Sequence, residues 1–434
     1  MKTQAQILQK LGIPALNDMQ HEARKAILHA DEVVLLSPTG TGKTLAFLLP
    51  IINELSPKVD TIQAMILVPS RELAIQIEQV MRGMGSGYRV DAAYGGRPGS
   101  KEREDLKTPP AILVGTPGRI ADHLRREAFS VKTIKTLVLD EFDKSLETGF
   151  EKEMKQITRD LPNIRKKILT SATNEVEIPE FMNFSDPVTI DYLGTRSSRL
   201  ALKEVVAPEK DKLQTLERLL SITGNGRGII FCNVKGTLRF VGDFLDSRDI
   251  DYGVFMGGLE QVDRERALIK FRNGSTRLLL ATDLAARGID VPELDFIIHY
   301  QTPNKEAEFT HRNGRTARMH ANGTAYVMRW EGYPLPEYIT DIEDTELPLE
   351  AGPVQNSKWS TIYVSAGRKD KVSKGDLAGM FFKLGGLEKG ELGVIELLAD
   401  CAFVSVPRAK VEGLIALLNN QRVKKRKVRV SELA

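Results

Sequence analysis

The chain has 434 residues, 41% hydrophobic and 27% charged, with a formal net charge of +3; it is long enough for two or three domains with their own cores, and its composition excludes a disordered or fibrous chain. The charge is uneven: residues 356–434 carry fifteen lysines and arginines against eight acids, the remainder 46 against 50. A basic tail on a mildly acidic body suits a polyanionic partner, most simply nucleic acid.

Apolar strands are predicted at 33–36, 64–68, 111–114, 136–139 and 167–170, with amphipathic helical stretches between them. That alternation implies a parallel sheet with helices on both faces. The first strand runs into Ser37-Pro38-Thr39-Gly40-Thr41-Gly42-Lys43-Thr44 and then an apolar helix. Strand, glycine-bearing loop and helix, in that order, form a phosphate-binding loop. Its glycines let backbone N–H groups turn toward phosphates, and the helix adds its positive N-terminal end. Thr39, Gly40, Thr41 and Gly42 form the cradle, Lys43 reaches the β- and γ-phosphates, and Thr44 offers its hydroxyl to Mg²⁺. Ser37 stands where the general pattern has glycine. The fourth strand ends at Asp140-Glu141-Phe142-Asp143. Adjacent acids there suit a Mg²⁺–nucleotide site: of Asp140 and Glu141, one carboxylate holds the metal and its neighbour orients or deprotonates the attacking water. Together the two segments predict hydrolysis of a nucleoside triphosphate.

The rhythm restarts after about residue 204, with strands at 228–231, 252–255, 277–281, 296–300 and 324–328. Four prolines among acids make 331–357 read as an extended linker. Beyond it, strands at 361–366, 392–399, 401–406 and 424–431 alternate with helices at 374–384 and 408–419, the first capped by Ser373. The expected divisions are therefore 1–203, 204–335, a linker at 336–357, and 358–434. Cys232 and Cys401 read as buried reduced thiols. No apolar stretch reaches the ~18–20 residues of a membrane span, and the first six residues lack the apolar core of an export signal. A cytoplasmic chain with no membrane partner is the expectation.

The motifs in order resemble those of the DEAD-box RNA helicases, over residues 12–329. They are Gln20, Ser37–Thr44, Pro69-Ser70-Arg71-Glu72-Leu73, Gly95-Gly96, Thr116-Pro117-Gly118-Arg119, Asp140–Asp143, Ser171-Ala172-Thr173, Gln261 with Arg264, Ala281-Thr282-Asp283, Arg287-Gly288-Ile289-Asp290, and His311 through Arg318. The resemblance implies α/β architecture of two tandem RecA-like parallel-sheet domains, with ATP and Mg²⁺ as cofactors. It implies that Gln20 reads adenine and that Gly288 and Asp290 lie at the nucleotide, Asp290 on its ribose. It further implies that Arg315 and Arg318 stabilise the γ-phosphoryl charge, and that His311 couples the acids to Ser171–Thr173. Arg71, Gly96, Thr116, Pro117, Gly118, Arg119, Gln261, Arg264 and Thr282 correspond to the family's grip on the RNA backbone. Thr3 stands where the family usually carries an adenine-stacking aromatic, Leu16–Met19 lacks its usual Thr-Pro pair, and Phe142 replaces an alanine.

The segment 361–431 resembles the small α+β, RRM-like tail of the DbpA-type bacterial members, which target ribosomal RNA. Only Tyr363 and Phe403 remain of the aromatic stacking positions of an ordinary RRM. Binding through Arg368, Lys369, Lys371, Lys424, Lys425 and Arg426 is therefore expected over base stacking. The resemblance implies a bacterial RNA-dependent ATPase that opens short RNA duplexes, with ribosomal RNA in ribosome assembly as the expected target. The same residues would also serve an RNA clamp that hydrolyses ATP without unwinding. The sequence names no protein partner, and a monomer is the expectation.

Overall fold

The computed structural model describes residues 2–96, 99–147, 149–173, 177–193, 200–283, 291, 294–316 and 322–433. They fall into two compact units: the first takes in residues up to 193 together with 305–314, the second the rest.

The first unit is built on seven strands: β1 Glu32–Leu36, β2 Ala64–Leu67, β3 Val90–Ala93, β4 Ile112–Gly115, β5 Thr136–Leu139, β6 Lys166–Ser171 and β7 Val188–Asp191. Their order is β3-β4-β2-β5-β6-β1-β7, and every neighbouring pair is parallel. Successive side chains of β1 point to opposite faces. Val33 and Leu35 join a core with Ala23, Phe47 and Ile51, while Val34 and Leu36 join another with Ile120 and Phe142. Both faces are covered, so these strands read as unbroken apolar runs. Sequence patterning did not anticipate β3 or β7. Both lie at sheet edges, where Val-Asp-Ala-Ala and a half-exposed Val-Thr-Ile-Asp carry no such run. Because the strands are parallel, their C-terminal ends share one edge of the sheet. The phosphate loop leaves β1, the acids leave β5, and β6 lies between them.

The second unit has strands β8 Leu200–Ala207, β9 Gly228–Phe231, β10 Tyr252–Phe255, β11 Leu278–Ala281, β12 Phe296–His299, β13 Gly323–Trp330 and β14 Glu343–Asp344. Their order is β10-β11-β9-β12-β13-β8-β14, again all parallel. The rhythm restarts earlier than predicted, since β8 begins at Leu200 and pairs with β13 along its whole length. The predicted linker is not wholly detached: β14 adds to the edge of β8, and Ile339 is buried.

The tail belongs to this second unit. Its strands β15 Trp359–Val364, β16 Ile395–Leu397, β17 Ala402–Pro407 and a later β20 Val430–Glu432 form an antiparallel sheet in the order β16-β17-β15-β20. Helices Lys374–Lys383 and Val411–Leu418 cover one face, and Ser373 caps the first through a capping box with Asp376. The single strand expected at 424–431 is instead a hairpin, β18 Arg422–Val423 with β19 Arg426–Lys427, followed by β20. Lys424 turns the chain there at φ 55°, a left-handed conformation that no strand continues through.

The other face of the tail sheet docks on the helix Gln261–Arg272, where Phe403 and Leu433 pack against Ile269 and Tyr363 lies alongside. Polar contacts frame this seam. Arg272 donates to Glu396 from Nε at 3.2 Å and Nη2 at 2.6 Å. Ser405 Oγ donates to Asn273 O at 2.8 Å, and Arg408 Nη2 meets Asp251 at 2.5 Å. Cys232 is buried and Cys401 half-buried, both as free thiols. Among the described residues no helix is long and apolar enough to cross a membrane.

Candidate functional site

The loop after β1 is held by its own hydroxyls. Ser37 is buried; its Oγ donates to Thr41 Oγ1 at 2.8 Å, which donates to Pro38 O at 2.9 Å. The serine at the usual glycine position thus braces the loop. Gly40 and Gly42 sit at φ 85° and 87°, where a side chain is strained. Lys43 Nζ folds onto the loop, donating to Ser37 O at 2.5 Å and Pro38 O at 3.1 Å. The helix Lys43–Glu54 begins without a side-chain cap at Gly42, so its N-terminal end suits an anion. Gln20 is buried against this loop. Its Oε1 accepts from Asn17 N at 3.1 Å and its Nε2 donates to Gly42 O at 3.2 Å, while Asn17 Nδ2 donates to Thr41 O at 3.1 Å. Asn17 therefore serves where the Thr-Pro pair is missing, and Thr3 is spent capping the helix Gln4–Leu11.

The acids are positioned by a residue that the motifs did not reveal. Leu139 pairs with Leu169, so the next residues, Asp140 and Thr170, come side by side. The Thr170 hydroxyl donates to Asp140 Oδ1 and accepts from Glu141 N at 3.3 Å. Burial pushes the Asp140 carboxyl above its usual range, against the opposing pull of Thr170 and Lys43. Asp143 is likewise raised by burial, with Lys144 opposing. Glu141 sits at φ 49°, a left-handed conformation costing about 1–3 kcal/mol in a non-glycine residue, of the kind that clusters at functional sites. Phe142 lies in the apolar core, so it substitutes for alanine as a packing residue. Thr173 Oγ1 donates to Asp143 Oδ2 at 3.3 Å, and Ser171 Oγ to Thr173 O at 2.7 Å. His311, in the same unit, brings Nε2 to 3.7 Å from Asp143 Oδ2.

A second group in this unit surrounds Arg71 and Arg119. Gly96 has φ 95°, and a Cβ there would fall 2.6 Å from Arg71 Nη1. Thr116 and Pro117 open the helix Pro117–Arg125, proline in the first turn where its missing N–H costs nothing; Gly118 and Arg119 follow. Arg119 Nε donates to Glu102 Oε2 at 2.7 Å, and buried His123 meets the same oxygen at 2.9 Å. Burial raises the Glu102 carboxyl, but the hydrogen bonds from His123 and Arg119 outweigh it and hold it below its usual range. Glu102 and His123 carry no motif signature; only folding brings them to Arg119.

In the second unit, Arg264 lies over the Phe255 ring at 4.9 Å, and Thr282 N donates to Phe255 O at 3.3 Å. Phe255 thus organises two of the predicted contacts. Gln261 opens the same helix as Arg264 and donates to Glu265 at 3.0 Å. Arg315 is buried in this unit. Gly288, Asp290 and Arg318 lie outside the described residues.

The tail's basic residues converge from two segments. Lys424 Nζ donates to Lys371 O at 2.6 Å and meets Asp376 at 2.8 Å, while Arg426 lies 3.5 Å from Asp370 and Lys369 3.0 Å from Asp400. Arg368, Lys369, Lys371, Lys424, Lys425 and Arg426 are all exposed. Tyr363 and Phe403, their rings 5.8 Å apart, are instead turned to the docked face.

Three family models match: DEAD/DEAH box helicase over residues 17–181, helicase conserved C-terminal domain over 211–320, and DbpA RNA binding domain over 361–432. The ATP-dependent RNA helicase DbpA of Escherichia coli is 30% identical over 98% of this chain and 95% of its own length; that of Bacillus subtilis is 27% identical over 98% and 96%. Among solved structures, Saccharomyces cerevisiae Dbp5 bound to RNA and ADP BeF3 is similar at 25% identity and a TM-score of 0.69, covering 78% of this chain and 93% of that one. The chain belongs to the DEAD-box family of ATP-dependent RNA helicases, in its DbpA-type branch.

Proposed function

We propose that this helicase acts on structured ribosomal RNA during ribosome assembly, opening short duplexes while its tail holds the target nearby. The supporting observation is the presence, in one chain, of a buried lysine–acid–hydroxyl cluster at the end of the first sheet and an exposed basic turn and hairpin in the tail. The ribosomal target rests on the resemblance of that tail. Lys43 and the loop 39–44 hold the phosphates, and Gln20 reads the adenine edge. Thr44 and Asp140 would hold Mg²⁺, Asp140 through water; hydroxyl and carboxylate oxygens suit that hard ion, and Asp143 Oδ1 is buried nearby without a hydrogen-bond partner. Such an ion would supply neutralisation of the phosphate charge.

Glu141 accepts a proton from the water that bonds to the γ-phosphorus as the bond to the bridging oxygen breaks and ADP leaves. Arg315 and Arg318 balance the charge developing on the transferred group, Gly288 and Asp290 hold the nucleotide, and His311 ties Asp143 toward Ser171–Thr173. Arg71, Gly96, Thr116–Arg119, Gln261, Arg264 and Thr282 grip a single strand by its backbone, which positions RNA without reading its sequence. A strand bent in that grip cannot stay in a regular duplex. The helicase acts as a monomer in the bacterial cytoplasm.

Glu141→Gln is expected to lower RNA-stimulated ATP hydrolysis by roughly 10²–10⁴-fold while ATP binding persists; hydrolysis at the normal rate would refute the assignment. Removing 356–434 is expected to keep ATPase activity but erase preference for ribosomal over unrelated RNA. Equal stimulation by both before and after removal would count against the target.

A further inference from the structure

In the first unit, three arginine side chains lie against three glycines of the stretch that follows β3. A Cβ on Gly95 would fall 3.3 Å from Arg71 Nη2, and one on Gly96 would fall 2.6 Å from Arg71 Nη1. Gly99 opens the helix Gly99–Leu106. A Cβ there would fall 3.3 Å from each of three nitrogens: Arg103 Nη1, Arg119 Nη1 and Arg119 Nη2. Two guanidinium groups from two different helices therefore reach one point, and the missing side chain of Gly99 leaves them room. Arg71 and Arg119 belong to the proposed RNA grip. Arg103 carries no motif signature.

The aim of Arg119 is fixed from behind. Its Nε donates to buried Glu102 Oε2 at 2.7 Å, and fully buried His123 holds the same oxygen at 2.9 Å. A guanidinium is planar, so anchoring Nε sets the direction of both Nη groups. These two lie equally far from the point above Gly99, so the end of the fork faces it. Arg103 stands four residues beyond Gly99, on the same face of its helix. The acids on either side of it are engaged elsewhere, Glu102 as above and Glu104 with Lys107 at 2.7 Å. Arg103 itself makes no ion pair among the described residues. Like charges brought this close repel, and an anion between them reverses the sign of the interaction. Gly99, Arg103 and Arg119 are each partly exposed, so a strand passing over the glycine can reach all three.

We infer, given the proposed role of Arg119 in gripping RNA, that Arg103 is a further contact to the RNA backbone and closes with Arg119 on one phosphate above Gly99. Arginine suits that task because its fork matches phosphate oxygens and its charge is permanent. The contact places the strand without reading its sequence.

The full-length protein, with a non-hydrolysable ATP analogue present, is titrated into a fluorescently labelled oligouridylate over a range of salt. Arg103→Ala is expected to weaken binding roughly tenfold and to reduce the slope of log affinity against log salt by about 0.7, the value for one phosphate of a single strand. Arg103→Lys is expected to keep the slope and recover part of the affinity, since the charge stays and the fork is lost. Oligomers with a single linkage replaced by uncharged methylphosphonate then locate the phosphate. One replacement should weaken the unsubstituted protein, and its penalty should shrink in Arg103→Ala and in Arg119→Ala alike. Native affinity and slope in Arg103→Ala would overturn the inference. So would lost affinity with an unchanged slope, because a misfolded fraction binds less RNA without losing a phosphate contact. A linkage whose penalty shrinks in Arg119→Ala but not in Arg103→Ala would overturn it as well. Arg119→Ala separates the two levels: if it too binds normally, the grip of the proposed function fails along with this contact, and if it alone weakens binding, only this contact fails.

Discussion

The proposed nucleotide site of the first lobe and the proposed RNA-contacting surface of the tail would answer the same problem, holding phosphate, in opposite ways. The first buries its charged groups: Asp140, Glu141 and Lys43 are all less than a tenth exposed, and each needs partners because low dielectric makes an unpaired charge costly. The second leaves its lysines and arginines in water and fixes a few of them with Asp370, Asp376 and Asp400. Burial serves chemistry, where charge must be exact in position. Exposure serves capture, where many weak contacts sum and salt tunes them.

Unpairing the buried site is therefore expected to cost more than unpairing the exposed one. Thr170→Val removes the donor to Asp140 and is expected to cost about 1–3 kcal/mol in stability and to lower RNA-stimulated ATPase. Unchanged melting and turnover together would break the comparison. The seam between tail and lobe falls in between. Arg272→Glu and Glu396→Arg should each loosen docking, seen as faster hydrogen exchange in the helix Gln261–Arg272, and the double swap should restore it, with a coupling of about 1 kcal/mol. Additive effects would mean that the bidentate pair contributes nothing.

On the exposed surface, Lys425→Ala is expected to weaken RNA binding only several-fold and to reduce the slope of log affinity against log salt by about 1. A slope that does not move would exclude Lys425 from phosphate contact. The smallest effect is one of pH. Hydrogen bonds from Lys424 and then Ser373 hold the Asp376 carboxyl at about 2. Because that lies below the ordinary carboxyl value of ~3.9, its contribution is present above that value and is lost as pH falls toward 2. Protection of the β18–β19 hairpin should fade across that window, and an Asp376 midpoint near the ordinary value would show that the Lys424 contact does not form in solution.

The strands of both parallel sheets were legible wherever they were buried on both faces, since an unbroken apolar run such as Leu137-Val138-Leu139 has few other uses. Edge strands divided: β10 was legible at 252–255, whereas β3, β7 and β14 are short, partly polar, and made by their neighbours. The same divide runs through the sites. Ser37 through Thr44 is contiguous, so its spacing alone announces a phosphate loop. Thr170, Glu102, His123 and Phe255 have no local signature and matter only because pairing or packing sets them beside Asp140, Arg119 and Arg264.

The sequence by itself determined that this chain has two parallel-sheet lobes, a phosphate loop, paired acids and a basic tail, because each is written in residues adjacent along the chain. Only the tertiary structure decided which face of the tail is free. Tyr363 and Phe403 occupy stacking positions of an ordinary RRM, yet packing them against Ile269 removes apolar surface from water, while the lysines of the turn and hairpin lose hydration if buried and so stay outside.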